Sequence, residues 1–331
     1  MTNPKPEPAR VDLSALTDLQ TPWCIHVVAS LRIAERVAAG VVRCDALAAA
    51  AGCDAGALAC VLGHLVTRGI FDEPSPGEFA LNDGARQLLE QGPFLALDGI
   101  GGRFARAWAT LPSYVRTGKA AYHEVFGASF WDDLAAHPDI GAGFDALMGI
   151  AGHGVPDPHF DLTGGWDAIR AVVDVGGGTG AMLAEILRAR PAVRGILVDL
   201  PGTVARAAPT FAAAGVADRV TTVGQSFFDP LPAGGDLYLL RKVLNDWPEA
   251  ETVAILRRCA DAARPSGRVV IMGGVRPDGA RPRLTIENML VGGQSNTLAE
   301  LREITRTAGL EVVAARPQRS GFVVECRLTP S

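Results

Sequence analysis

No uninterrupted apolar run in this 331-residue sequence is long enough to cross a bilayer, so a membrane-spanning helix is not expected. The opening stretch, MTNPKPEPAR, is polar and proline-rich and lacks an apolar h-region. It reads as a lead-in rather than a secretory signal, and a cytoplasmic protein is expected. Positive charge is also short: 31 Lys and Arg against 36 Asp and Glu leave a net charge of −5. A nucleic-acid partner would need a basic surface, so none is expected, nor is a membrane partner. Cysteine occurs six times (Cys24, Cys44, Cys53, Cys60, Cys259 and Cys326) with no C-x-x-C pair. Buried reduced thiols and no metal centre are the expectation.

What is present divides into two textures. From residue 12 to about 150 the periodicity is helical. PWCIHVVASLRIAERVAAG reads as one amphipathic helix closing on Gly40. CDALAAAAG and DAGALACVLGHLVTRG read as two more, followed by the hairpin IFDEPSPGEFAL and the helix ARQLLEQG. Helix–turn–helix with a small hairpin is a winged-helix pattern. Its would-be recognition helix, Asp54–Gly69, carries a single Arg or Lys, Arg68, which is too little to read bases, so a packing module is the better reading. Further on, Phe130, Trp131, Phe144 and Met148 suit either a core or the wall of a pocket.

From about residue 165, apolar runs alternate with helical patterns: AVVDV, RGILVDL, RVTTVG, DLYLL and GRVVIM, then EVVAA and GFVVECRL. Alternation of this kind predicts a doubly wound α/β sheet. Only RPQRSG separates the last two runs, so they should pair as an antiparallel hairpin. The expected organisation is a domain over residues 1–160 and an α/β domain over 161–331, mostly parallel with an antiparallel last strand.

The first α/β loop reads DVGGGTGA, Asp174–Ala181. Glycines there let a ligand approach bare backbone and a helix N-terminus. Two templates fit. Gly176, Gly178 and Ala181 satisfy the dinucleotide fingerprint G-x-G-x-x-G/A. Asp174, Gly176, Gly178 and Gly180 satisfy D-x-G-x-G-x-G, the first motif of S-adenosylmethionine (SAM)-dependent methyltransferases. Asp199, ending the second strand, can accept both ribose hydroxyl hydrogens in either case. Asp174 favours SAM: an acid within an apolar strand is costly unless partnered, and the cofactor's amino-acid end carries an ammonium group.

A second polar pair, Asn245–Asp246, sits where DLYLL gives way to a long helical pattern. Asn245 can orient a hydroxyl or carbonyl but cannot accept a proton. Neighbouring residues point well apart, so if Asn245 faces a substrate, Asp246 is expected not to. DWPE reads instead as an N-cap aspartate followed by Pro248 and a capping-box Glu249.

With these motifs in place, nearly the whole chain resembles the plant-type small-molecule O-methyltransferases and their bacterial natural-product members. FWDDLAAHPDIGAGFDALM looks like that family's pre-domain helix and VVDVGGGTGAMLAEIL its SAM loop; ILVDLP looks like its ribose-binding turn. LLRKVLNDWPEAETVAILRRC and NMLVGGQSNTLAELREITRTAGL resemble its two later motifs. The resemblance implies a Rossmann-like SAM-binding domain over 161–331 and an N-terminal helical, winged-helix-like dimerisation and substrate-lid domain over 1–160, forming a homodimer. It implies that Asp174, Gly176, Gly178, Gly180, Asp199, Leu200, Ser226, Phe227, Arg241 and Trp247 serve the cofactor. Trp131, Phe144, Met148, Asn245, Met289 and Ser295 would face a small-molecule substrate.

The departures from the family pattern are specific. Asn245 stands where the family typically has a catalytic histidine, Ser295 and Asn296 replace the Glu-Arg that follows GG, and Ser226 replaces an aspartate near the adenine. His153, with His123 second, is the candidate for a displaced base.

General-base catalysis contributes roughly 10²–10⁴-fold, whereas alignment of two reactants reaches effective molarities of about 10⁵–10⁸ M. The expected activity is therefore O-methylation of an aromatic or polyketide-type metabolite by proximity and desolvation, on an acidic or already ionised acceptor. The alternative is an enzyme that binds SAM without transferring its methyl group and performs hydroxylation, decarboxylation or rearrangement. A non-enzymatic SAM sensor is the third reading.

Overall fold

The structure is a computed structural model that describes residues 11–149, 155–281, 285–318 and 321–329. Two compact units divide the chain, Met1–Ala105 and Arg106–Ser331.

The first unit comprises α1 (Leu13–Leu16), α2 (Gln20–Ser30), α3 (Ile33–Ala38), α4 (Cys44–Ala51), α5 (Ala55–Thr67), the hairpin β1 (Asp72–Ser75) and β2 (Glu78–Ala80), and α6 (Asp83–Leu95). The segment read as one helix ending at Gly40 is broken in two. Arg32 takes a left-handed conformation (φ 51°), which ends the hydrogen-bond ladder of α2 and restarts the chain at a new angle. The next helices start where their caps place them. Asp54 accepts the backbone N–H of Ala57, and Asn82 accepts those of Ala85 and Phe71. Val28, Ile33, Leu47, Leu62, Leu65, Phe71 and Phe79 form the core that these elements enclose. Arg68 is engaged with Asp18 at 3.3 Å. Cys60 is exposed and Cys24 and Cys53 are half-buried, which corrects the expectation that all the thiols are buried: an apolar helix still has an outward face. Helix α7 (Ile100–Ala107) carries the chain across the division.

That division falls earlier in the chain than the 160/161 boundary drawn from sequence texture. Helices α8 (Leu111–Thr117), α9 (His123–Phe126), α10 (Phe130–Ala136) and α11 (Pro138–Met148) count with the sheet of the second unit. Helical texture reports local periodicity, not packing partner. Trp131 of α10 stacks on Trp247, and Asp145 of α11 forms an ion pair with Arg206.

The second unit is built on a seven-stranded sheet of order β10-β11-β7-β6-β3-β4-β5. Its strands are β3 (Ala171–Val175), β4 (Arg194–Asp199), β5 (Val220–Gly224), β6 (Leu237–Arg241), β7 (Arg268–Met272), β10 (Leu310–Gln318) and β11 (Gly321–Leu328). A small parallel pair, β8 (Val275–Arg276) and β9 (Asn296–Thr297), lies apart from it. The crossovers carry α12 (Ala181–Ala189), α13 (Pro201–Val204), α14 (Ala208–Ala213), α15 (Glu249–Ala262), α16 (Ile286–Leu290) and α17 (Leu298–Thr307). Strands β5, β4, β3, β6 and β7 run parallel, and β11 is antiparallel to both β7 and β10. The expected Rossmann-like α/β fold with a terminal antiparallel hairpin is therefore present. Val172, Val173 and Val175 are fully buried, because helices cover both faces of the central strands. Between β4 and β5 the chain forms two short helices, α13 and α14, and Pro209, with no N–H to donate, sits at the first turn of α14. Among the described residues no single helix is long and apolar enough to cross a membrane.

Candidate active site

The switch in strand order places the C-terminal ends of β3 and β6 side by side, the position at which open α/β sheets bind ligands. At the end of β3 the chain enters the glycine loop. Gly178 has φ +62°, and a side chain there would meet nothing within 4 Å, so the loop presents bare backbone to open space. Its N–H donates to Oδ2 of Asp199 at 2.8 Å, and Leu200 N–H donates to Oδ1 at 2.7 Å. Each carboxylate oxygen of Asp199 retains acceptor capacity for a hydroxyl. Burial raises its pKa, and the two backbone donors oppose the shift.

Asp174 lies under this loop. It is 1 % exposed, and a side chain on Gly177 would come within 2.5 Å of its Oδ2. That oxygen has no hydrogen-bond partner. Burial pushes the carboxyl up to about 7, against the pull of the Arg241 guanidinium. Burial lowers the Arg241 pKa in turn. The expected cofactor residues Asp174, Gly176, Gly178, Gly180, Asp199, Leu200 and Arg241 thus share one corner of the site, with Leu200 exposed beside Asp199.

The neighbouring corner begins where β6 ends. Lys242 takes a left-handed φ of 57°, and Leu244–Asp246 form a single 3₁₀ turn. Val243 meets the loop: its Cγ2 lies 2.8 Å from where a Cβ on Gly176 would stand. The expectation that Asp246 caps the following helix is not met. Helix α15 begins at Glu249 with Pro248 in the cap position and no side-chain cap bond. Asp246 turns back to its neighbour instead, and Asn245 Nδ2 donates to Asp246 Oδ1 at 2.7 Å. A carboxylate only accepts, so this bond fixes which way the amide points. Asn245 Oδ1 is left buried without a partner. Burial pushes Asp246 up to about 7, with Lys242 and the Asn245 bond pulling the other way. Two short polar side chains on one tight turn reach each other despite being consecutive, which strand or helix geometry would have prevented.

Aromatic rings close the site on one side. Trp247 meets Phe227 and Phe228 edge-on, with centroids 5.7 and 5.0 Å away, and stacks on Trp131 at 5.9 Å. Trp131 in turn meets Phe144 at 5.4 Å. Its indole Nε1 is buried without a partner. Phe227 also lies 3.4 Å from the Cβ position of Gly176, so the stack runs up to the glycine loop. Ser226 accepts the N–H of Phe228 at 3.2 Å.

Ser295 follows Gln294, whose backbone N–H donates to the Asn245 carbonyl, and precedes Asn296, whose N–H donates to Gly274 O at 3.0 Å. Met148 is exposed at the end of α11, one residue before Gly149, whose Cβ position is 3.5 Å from Thr179 Oγ1 of the glycine loop. Met289 is not brought into the aromatic stack. It sits on α16, which packs against the turn Trp108–Thr110. His153 lies outside the described residues, and His123 is exposed at the start of α9.

Sequence reasoning missed Gly274. Its φ is +70°, and a side chain there would stand 2.7 Å from Asn245 Cβ, so this position sets how far back Asn245 can sit. The signal available was the Gly273–Gly274 pair directly after a buried strand.

The arrangement offers a hydroxyl-binding carboxylate, a buried acceptor for a cation and an aromatic wall beside a fixed amide. Residues 108–311 match a family model described as an O-methyltransferase domain. The chain is 38% identical over 329 residues to 2,7-dihydroxy-5-methyl-1-naphthoate 7-O-methyltransferase of Streptomyces carzinostaticus, covering 96% of this chain and 97% of that protein. It is also 34% identical to aclacinomycin 10-hydroxylase of Streptomyces purpurascens, covering 95% of this chain and 88% of that one. Among solved structures, an O-methyltransferase from neocarzinostatin biosynthesis, in complex with SAM and 2-hydroxy-5-methyl naphthoic acid, superposes with a TM-score of 0.82. It shares 37% identity, and the match covers 97% of this chain and 100% of that one.

Proposed function

The chain belongs to the O-methyltransferase family, and on that premise we propose that it methylates a hydroxyl of a small aromatic acceptor of the hydroxynaphthoate kind. It is a SAM-dependent methyltransferase. When bound, SAM supplies the methyl group in activated sulfonium form. The observation that carries the fit is the cofactor corner. The orphan oxygen of Asp174 suits an ammonium group, and Asp199, fixed by Gly178 and Leu200, suits a pair of ribose hydroxyls. Phe227 and Leu200 would flank the adenine. Trp131, Phe144 and Trp247 would form an apolar wall that excludes water, and Asn245 would orient the acceptor. Asn245 does not titrate, so alignment and desolvation supply most of the rate. Exposed Leu13, Leu16, Leu19 and Trp23 on the first helices support a homodimer through this N-terminal part.

The test is calorimetric titration with SAM, S-adenosylhomocysteine and NAD, followed by turnover with 1,4-dihydroxy-2-naphthoic acid, which occupies a related solved enzyme. Binding of the first two ligands and formation of S-adenosylhomocysteine with a methylated product are expected. Binding of NAD alone would return the glycine loop to the dinucleotide template.

A second reading, SAM bound but not consumed, is supported by the similarity to a 10-hydroxylase. It predicts substrate turnover with no S-adenosylhomocysteine formed.

A further inference from the structure

We propose that Asp246 is the base of this enzyme: its Oδ2 takes the proton of the acceptor hydroxyl, while Asn245, held by the Nδ2–Oδ1 bond, anchors the substrate through its own Oδ1. The proposal rests on the methyl-transfer reading and names the residue that completes it.

The geometry is that of two oxygens without hydrogen-bond partners on one turn. The bond from Asn245 Nδ2 to Asp246 Oδ1 at 2.7 Å uses one oxygen of the carboxylate. Among the described residues Oδ2 has no hydrogen-bond partner, and Asn245 Oδ1 is buried and unpartnered. Covalent geometry keeps these two oxygens within one side-chain pair of each other. Both are acceptors, so the substrate group drawn to them must be an O–H or N–H donor. Only the carboxylate can keep the proton.

Val243 touches the glycine loop and Trp247 the aromatic stack, so the pair lies between the cofactor corner and the acceptor's wall. Lys242 is the charged side chain that acts on Asp246. Of the segments packed against this turn, Gly273–Val275 and Gln294–Asn296 carry no ionisable group, and the glycine loop that Val243 touches brings Asp174, which is not among the charges acting on Asp246. Burial brings the carboxyl to about 7, matched to work near neutral pH, where an ordinary aspartate would be too weak a base.

The step balances. The acceptor oxygen bonds to the methyl carbon as the carbon–sulfur bond breaks with its electron pair going to sulfur. The hydroxyl proton goes to Asp246, and the positive charge of the sulfonium and the negative charge of the carboxylate disappear together.

Asp246→Asn keeps the shape and removes the basicity. With 1,4-dihydroxy-2-naphthoic acid, kcat should fall about 100-fold or more. The rise of kcat through about pH 7 should vanish, and calorimetric affinity for S-adenosylhomocysteine should stay unchanged. A nitro-substituted hydroxynaphthoate, already ionised at neutral pH, should lose far less. Equal losses with both acceptors, or an unchanged pH profile, would overturn the proposal.

Asn245→Ala provides a second arm that leaves the carboxylate in place. Losing the bond that favours its ionised form should move the rising limb to higher pH, and a limb that stays put speaks against Asp246. Infrared difference spectra give a readout without turnover: Asp174 and Asp246 should both contribute carboxyl absorption titrating near neutral pH. Asp246→Asn should remove one contribution and leave that of Asp174, and an unchanged titration refutes the assignment. If the wild-type enzyme makes no S-adenosylhomocysteine with any hydroxyl acceptor, the methyl-transfer reading fails first and the base falls with it.

Discussion

Two carboxyls in this molecule are pushed to about 7 by burial, and they sit in adjoining corners of one site. Asp174 is fixed in the middle of the sheet, roofed by Gly177, opposed by Arg241, and left with an oxygen that nothing satisfies. Asp246 sits on a single turn beyond the sheet, tied to Asn245 and opposed by Lys242. The same perturbation therefore has opposite uses. On the proposed reading, a rigid orphan acceptor would hold a cation that arrives with the cofactor, whereas a carboxylate with one bonded and one unpaired oxygen would take up and release a proton. Variants in the first corner should change cofactor affinity, and variants in the second should change turnover.

The largest effect should come from Asp199→Ala. Two ribose hydrogen bonds to a charged acceptor are worth about 1.5–3 kcal/mol each, so the Kd for SAM should rise about 100-fold or more, read by calorimetry. If kcat falls instead while Kd holds, the separation of the two corners is wrong.

Next is Gly274→Ala, the mirror experiment. A Cβ 2.7 Å from that of Asn245 displaces the amide, and the left-handed backbone at 274 adds strain. A shift approaching 1 Å should lower kcat about 10- to 100-fold with little change in Kd.

Asp174→Asn tests the first carboxyl through pH. With the pKa raised from 3.8 to about 7 in the folded state, the unfolded chain loses its proton first. Stability of the cofactor-free protein should therefore decline as pH rises from about 4 to about 7 and level off above that. SAM affinity should move the other way, rising with pH up to about 7, because the ammonium requires the ionised form. In Asp174→Asn the affinity slope flattens and the stability slope shrinks by the share of Asp174, leaving that of Asp246; the midpoint of thermal unfolding against pH is the measurement.

The smallest effect belongs to Gly178→Ala. Nothing blocks the added methyl, so the cost is the left-handed backbone alone, about 1 kcal/mol of stability. A much larger loss of SAM affinity would mean that the open space over Gly178 is where the cofactor lies.

Legibility followed the same division. The glycine loop, Asp199 and the terminal hairpin could be read directly, because positive-φ positions, strand alternation and short connections are local constraints. Trp131, Phe144 and Trp247 could be chosen as wall residues, but that they stack together could not, since ring contacts join segments far apart in the chain. Helices α8–α11 looked like part of the N-terminal unit, because periodicity does not say what a helix packs against. Asp246 was read as a cap from DWPE, a motif whose local chemistry is sound. The structure starts α15 later and turns the carboxylate inward.

The sequence by itself determined the α/β sheet, the glycine loop and the family, through patterns written within a few tens of residues. Only the tertiary structure decided which polar side chains share a hydrogen bond and which buried oxygens are left open. Those choices depend on how a single turn after β6 is pressed between Gly274, the glycine loop and an aromatic stack. No stretch of sequence taken alone contains that pressure.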